Sequence, residues 1–194
     1  MSEASDPLAR VREWYDEAVA AGLPEPDAMA LATASTEGLP SVRIVLLKGI
    51  EDRGIRFFTN YESCKGRELD ANPRAAATLY WQPLHRQVRL EGSVQRLDPA
   101  ESDAYFATRD RGSRLGAWAS RQGRAITDRR QLDDALAAAD ERFPADIPRP
   151  DYWGGYRLVP DAIEFWEGRP NRLHERHHHL RQPDGTWRTE RLSP

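Results

Sequence analysis

Turn signals recur along this chain too close together for crossover connections, and that spacing constrains the architecture more than any other feature. Thr36-Glu37-Gly38 separates apolar or alternating segments at residues 28–35 and 41–48. Asp52-Arg53-Gly54 precedes a third segment, 55–59, and Asp184-Gly185 divides two more, 172–181 and 187–192. Parallel strands need a connection of roughly a dozen residues or more, whereas short turns join antiparallel neighbours. Further strands are expected at 75–81, at 87–97, where Val88, Leu90, Gly92 and Val94 alternate, and at 156–159 and 163–167. The pattern predicts a mainly β protein, an antiparallel barrel with peripheral helices.

The helices have their own signals. Ser5, Asp6 and Pro7 start one, with Leu8, Val11, Tyr15, Ala18 and Val19 along a face, and Gly22 and Pro24 end it. Ser63 can cap a helix running to about Asn72, where Pro73 stops it, and Pro99 opens another running to about Thr108. Residues 127–142 form the last. There is no internal repeat, and the proline-rich stretch 143–150 is the one linker-like piece. The 194 residues are therefore read as one domain: an N-terminal helix (1–25), a barrel with helices (26–142) and C-terminal strands (151–194).

Composition excludes several classes. A net charge of −3 gives no global attraction for nucleic acid or an anionic membrane, so any anion must be held by a local cluster. No apolar run approaches bilayer length and the first residues carry no basic-then-apolar pattern, so the expectation is a cytoplasmic protein with no membrane partner. The single cysteine, Cys64, excludes an internal disulfide and a multi-thiolate metal site. Hydrophobic content of 39% is low for a self-sufficient globule, but six Trp, six Tyr and five Phe supply large buried areas and suit a dimer interface.

Several segments carry possible chemistry. Read as a strand, Arg172-Leu173-His174-Glu175-Arg176 puts Arg172, His174 and Arg176 on one face, which favours an anionic or electron-rich ligand across it; a solvated basic face is the alternative. Arg43-Ile44-Val45-Leu46-Leu47-Lys48 sets an apolar strand between two cations on opposite faces, although from this segment alone an ordinary barrel strand with charged ends is the favoured reading. Thr59 to Gly66 brings hydroxyls and Lys65 to a helix N-terminus, a favourable place for phosphate, while Ser63 also serves as a plain cap. Tyr105 and Arg109 share a helix face with Ser113 in the loop beyond, a plausible phosphate clamp. Seven arginines between Arg109 and Arg130 raise nucleic-acid binding, but overall acidity and the lack of a reading motif argue against it. His177 and His179 share a strand face but lack a third ligand, so no metal is expected. Dinucleotide-loop, serine-elbow and zinc-protease motifs are missing from the sequence.

Taken in order, these segments resemble the pyridoxamine 5′-phosphate oxidase family from about Pro26 to Pro194. The resemblance is carried by the stretch from Arg43 to Lys48, Phe58-Thr59-Asn60, Lys65-Gly66-Arg67, Arg86-Gln87-Val88, the run from Leu115 to Gln122, Trp153-Gly154-Gly155, Glu164-Phe165-Trp166, Arg172-Leu173-His174 and the ending Arg191-Leu192-Ser193-Pro194. It implies an FMN-binding split β-barrel of antiparallel Greek-key type, a homodimer with FMN at the subunit interface. By position it implies flavin contacts from Arg43, Ile44, Val45, Leu46, Leu47, Lys48, Phe58, Thr59, Lys65, Gln87, Gln122, Gly123, Trp166 and Arg176. Substrate contacts would come from Lys48, Tyr105, Arg109, Ser113, Arg172 and His174, with Arg172 and His174 catalytic.

The implied reaction oxidises pyridoxamine or pyridoxine 5′-phosphate at C4′ to pyridoxal 5′-phosphate, with flavin as hydride acceptor and O2 giving H2O2. Three departures stand out. Cys64 occupies a position where the family often has arginine, His177 to His179 replace a stretch usually apolar or aromatic, and the reading expects no counterpart of the N-terminal extension that carries an Arg and a Tyr over the substrate. A phenazine-biosynthesis oxidase of the same scaffold is the runner-up, against which Tyr105, Arg109 and Ser113 count. A non-catalytic flavin- or haem-binding split barrel is the third reading.

Overall fold

The computed structural model describes residues 6–194. Helix α1 (Pro7–Ala20) leads into β1 (Ala28–Ala34), β2 (Pro40–Leu46), β3 (Gly49–Glu51), β4 (Gly54–Asn60), α2 (Cys64–Ala71), β5 (Arg74–Trp81) and β6 (Arg86–Arg96). Three helices follow, α3 (Pro99–Thr108), α4 (Arg111–Ala119) and α5 (Arg130–Arg142), then β7 (Trp153–Glu167), β8 (Glu175–Arg181) and β9 (Trp187–Arg191). All strand pairings are antiparallel, in the order β2-β1-β5-β6-β7-β4-β3, with β8 on β7 and β9 on β8. The sheet curls into the split barrel that the turn spacing and the resemblance predict.

β7 is the spine. Its residues 153–158 pair with β4 and its residues 162–167 with β8, while β6 runs alongside both halves. The two separate strands expected at 156–159 and 163–167 are thus one. Pro160 does not break it, because the β6 register shifts between Glu91 and Gly92 and leaves Asp161 unpaired, a bulge that absorbs the proline. Gly92 is required at that crossing, since a Cβ there would fall 2.0 Å from the Val159 carbonyl oxygen.

Alternate residues of the strands fill the core: Met29, Leu31, Ile55, Phe57, Leu79, Val88, Leu90, Leu158, Ile163 and Phe165 are buried. α1 closes one end. Asp6 caps it by accepting from Leu8 N, while the expected Ser5 start lies outside the described residues. Its buried face is Leu8, Val11, Trp14 and Ala18, so Trp14 rather than Tyr15 or Val19 anchors it, edge-on to Phe165 at 5.1 Å. A second cluster of Phe106, Leu115, Ala139, Ile147 and Trp153 seats α3 to α5 against the end of β7. The outer face of β2 stays bare, with Val42 68% and Ile44 65% exposed.

Candidate functional site

A cleft of about 780 Å³ opens between β2, the end of β4, the start of α2 and the α3–α4 corner. Ile44, Val45, Leu46, Lys48, Phe58, Thr59, Lys65, Tyr105, Arg109, Ser113 and Gln122 all line it, so residues singled out from distant parts of the sequence meet here.

Its floor is the N-terminus of α2. Ser63 caps the helix, accepting from Gly66 N at 3.2 Å and donating to the Asn60 carbonyl at 2.7 Å. The chain turns tightly there, because a Cβ on Gly66 would lie 2.0 Å from the Tyr61 carbonyl oxygen. Lys65, only 7% exposed, has neutral hydrogen-bond partners among the described residues: Thr59 Oγ1 at 3.0 Å, Ser63 Oγ at 3.4 Å and Gln122 Oε1 at 3.3 Å. Burial, and then the charge of Arg43, pull its pKa below the usual lysine value. A buried cation with neutral partners at a helix N-terminus calls for an anion.

The opposite wall comes from α3 and α4. Phe58 and Tyr105 stack at 3.9 Å, with Trp153 nearly parallel 5.6 Å from Phe58. Arg109 ends α3, its Cζ 4.7 Å from the Trp153 ring centroid, and its Nη1 is buried without an acceptor among the described residues. Burial lowers its pKa. Ser113 is not in a loop, as expected, but in the first turn of α4, where Asp110 caps by accepting from Ser113 N at 2.7 Å. This helix escaped the sequence reading because Gly112 and Gly116 mask it and Leu115 is its one buried side chain. The Asp110-x-x-Ser113 cap was the available signal. Asn60, Thr108, Asp110, Gly116, Ala117, Ser120 and Trp153 also line the cleft, and the sequence assigns none of them a contact.

Arg43 shares a strand face with Val45 but does not line the cleft; both of its Nη atoms are taken up elsewhere. It donates to the Leu31 carbonyl, Thr33 Oγ1, Ser41 Oγ and Glu68 Oε2. Burial opposes charge on Glu68, but hydrogen bonds from Thr33, Ser41 and Cys64, with Arg43 beside it, hold its carboxyl down to about 2. Lys48 pairs with Asp27 at 2.8 Å. Leu47 is buried beneath the β2 end, and Gly123, at φ +84°, follows Gln122 at the cleft edge.

The remaining expected residues do not line this cleft: Gln87, Trp166 and Arg176 lie on β6, β7 and β8, and Arg172 and His174 in the turn before β8. Arg172, His174 and Arg176 do not form the expected strand face. Asn171 and Arg172 have φ of 59° and 62°, a left-handed reversal, so strand alternation begins only at Glu175. His174 instead leans on Trp166, ring centroids 4.6 Å apart, and its Nδ1 accepts from Arg169 N, which puts a neutral ring's proton on Nε2. Gln87 faces Trp166 across β6 and β7. Arg176 makes a two-point pair with Glu164, at 2.7 and 3.1 Å. Among the described residues no group of three His, Cys, Asp or Glu is arranged to hold a metal, and no helix is long and apolar enough to cross a membrane.

The sequence matches the family described as pyridoxamine 5′-phosphate oxidase over residues 15–142, and the pyridoxine 5′-phosphate oxidase C-terminal dimerisation region over residues 153–194. It is 57% identical over 191 residues to the pyridoxine/pyridoxamine 5′-phosphate oxidase of Cupriavidus taiwanensis, covering 98% of this chain and 90% of that one. The enzyme of the same name from Pseudomonas paraeruginosa is 54% identical, covering 100% and 93%. Among solved structures, PhzG from Burkholderia lata 383, in complex with tetrahydrophenazine-1-carboxylic acid, superposes with a TM-score of 0.94 at 34% identity, covering 100% of this chain and 95% of that one. A pyridoxamine 5′-phosphate oxidase-related, FMN-binding protein from Nostoc punctiforme gives 0.76 at 21% identity over the full length of both, a likeness of fold.

Proposed function

The chain belongs to the pyridoxamine 5′-phosphate oxidase family, and from that premise we propose that it is an FMN-dependent oxidase converting pyridoxine or pyridoxamine 5′-phosphate to pyridoxal 5′-phosphate. The observation that carries the reading is a pair of cations in one cleft that lack a carboxylate partner among the described residues: Lys65, hydrogen-bonded to neutral groups, and Arg109, with a buried N–H lacking an acceptor. Each stays uncompensated until an anion arrives, and a phosphorylated cofactor and a phosphorylated substrate supply two. The 57% relative bears the oxidase name, whereas the PhzG likeness is at 34%, and a substrate without phosphate would leave the Arg109 clamp unused.

In this reading Lys65, Thr59, Gln122, Gly123 and the α2 N-terminus hold the FMN phosphate, with Ile44, Val45, Leu46 and Phe58 along the rest of the cofactor. Bound FMN supplies the two-electron acceptor, returned to its oxidised form by O2 with release of H2O2. Lys48, Tyr105, Arg109 and Ser113 hold the substrate phosphate at a fixed distance from the reacting carbon. The alcohol loses two hydrogens to become the aldehyde; the amine loses two and is then hydrolysed, releasing ammonia. Gln87, Trp166, Arg172, His174 and Arg176 complete the cleft of the other protomer of a homodimer, with FMN at the interface. The bare β2 face and the C-terminal dimerisation region support that arrangement. There the Nε2–H of His174 donates to the substrate and Arg172 balances charge beside its ring.

Purified protein is expected to be yellow and to form H2O2 with pyridoxamine 5′-phosphate. A yellow protein inert toward both B6 phosphates but active on tetrahydrophenazine-1-carboxylic acid would transfer the assignment to the phenazine reaction.

A further inference from the structure

Of the cations lining the cleft, Lys48 differs from Lys65 and Arg109 in having a carboxylate partner: its Nζ lies 2.8 Å from Asp27 Oδ2. The pairing is built into the backbone. Asp27 immediately precedes β1 and Lys48 follows the paired end of β2, where Ala28 faces Leu46 and Leu47 N donates to the Asp27 carbonyl at 2.8 Å. Tyr15 of α1 closes the far side; burial and then the Asp27 charge raise its hydroxyl pKa. Lys48 also borders a second pocket of about 400 Å³ shared with Tyr15 and Asp27, so its flexible stem stands between that carboxylate and the main cleft.

We propose that Asp27 sets the affinity for the phosphorylated substrate by competing with the substrate's phosphate for Lys48, loosening the hold on substrate and product alike. The inference rests on the reading of Lys48 as a phosphate ligand. A lysine already beside a carboxylate still offers N–H donors, but the pair has no net charge, and a dianion that reaches Lys48 also meets Asp27. Among the described residues Lys65 and Arg109 have no such counter-ion, so among these cations the competition is confined to Lys48. If Asp27 served only to tether Lys48 in place, its removal would weaken the ligand's hold. Competition predicts the opposite sign.

The test is a double-substitution cycle on FMN-loaded protein, titrated with pyridoxal 5′-phosphate, using Asp27→Asn, Lys48→Met and both together. Asp27→Asn keeps the side-chain shape and the carbonyl that accepts from Leu47; Asp27→Ser serves as a second variant with the same expected sign. The expected result is binding tightened roughly fivefold at low ionic strength, fading as salt is raised, with KM for pyridoxine 5′-phosphate falling in parallel. In the Lys48→Met background, Asp27→Asn should change nothing. Weaker or unchanged binding on Asp27→Asn overturns the proposal, as does equal tightening without the lysine. If the unsubstituted protein binds no pyridoxal 5′-phosphate, the functional reading itself falls, and this inference with it.

Discussion

The Arg109 guanidinium lies 4.7 Å from the Trp153 ring centroid and carries a buried N–H that meets no acceptor among the described residues. The aromatic face supports the cation, but it does not replace a hydrogen bond. A phosphoryl oxygen would. Arg109→Gln should therefore raise KM for pyridoxine 5′-phosphate by roughly 30- to 100-fold, the loss of a charge-assisted hydrogen bond, and leave FMN content unchanged. Steady-state kinetics with flavin quantified by absorbance checks both halves.

Lys65 is expected to act on the cofactor instead. Lys65→Met should weaken FMN binding by about 100-fold in fluorescence titrations. The same substitution removes a desolvated cation whose partners are neutral, so the flavin-free variant should melt no lower than the flavin-free parent. A variant destabilised without flavin would mean that Lys65 is a structural group.

Cys64, the first residue of α2, is exposed beside Lys65 and donates to Glu68 Oε1 at 3.2 Å. Cys64→Arg adds a cation at the helix N-terminus that holds the proposed FMN phosphate. Flavin affinity should rise by roughly tenfold, with the gain shrinking in high salt. An unchanged dissociation constant would place this position outside reach of the phosphate.

His179 gives a pH signature unrelated to catalysis. It is 8% exposed, accepts or donates at Nδ1 with Thr189 Oγ1 at 3.0 Å, and its Nε2 has no partner among the described residues. Burial first, then Arg10 and the adjacent His177 and His178, lower its pKa to about 4. The unfolded chain takes up a proton near pH 6.5 while the folded chain resists until about pH 4. Stability should therefore be unaffected by this group above pH 7 and fall between those values, by on the order of 2 kcal/mol. His179→Phe should flatten that limb of the denaturation-midpoint profile against pH.

Local chemistry made much of this site legible in advance. Ser63 before Lys65, and Tyr105 four residues before Arg109, are signals read from a few neighbours, and the structure puts all of them where the spacing implies. What failed depended on distant partners. Nothing near Arg43 in the sequence announces Glu68, which arrives from another element to neutralise it. The basic face at Arg172 presumed strand geometry, but two consecutive left-handed residues delay the strand by three positions. Likewise Pro160 reads as a break until Gly92 and the unpaired Asp161 make room for it.

Two phosphate sites converging in one cleft can be probed by comparing pyridoxine 5′-phosphate with pyridoxine itself on the FMN-loaded protein while H2O2 is measured. Stoichiometric H2O2 is expected from the phosphorylated alcohol, and at least about 100-fold lower kcat/KM without the phosphate. Equal turnover of the two alcohols would contradict it.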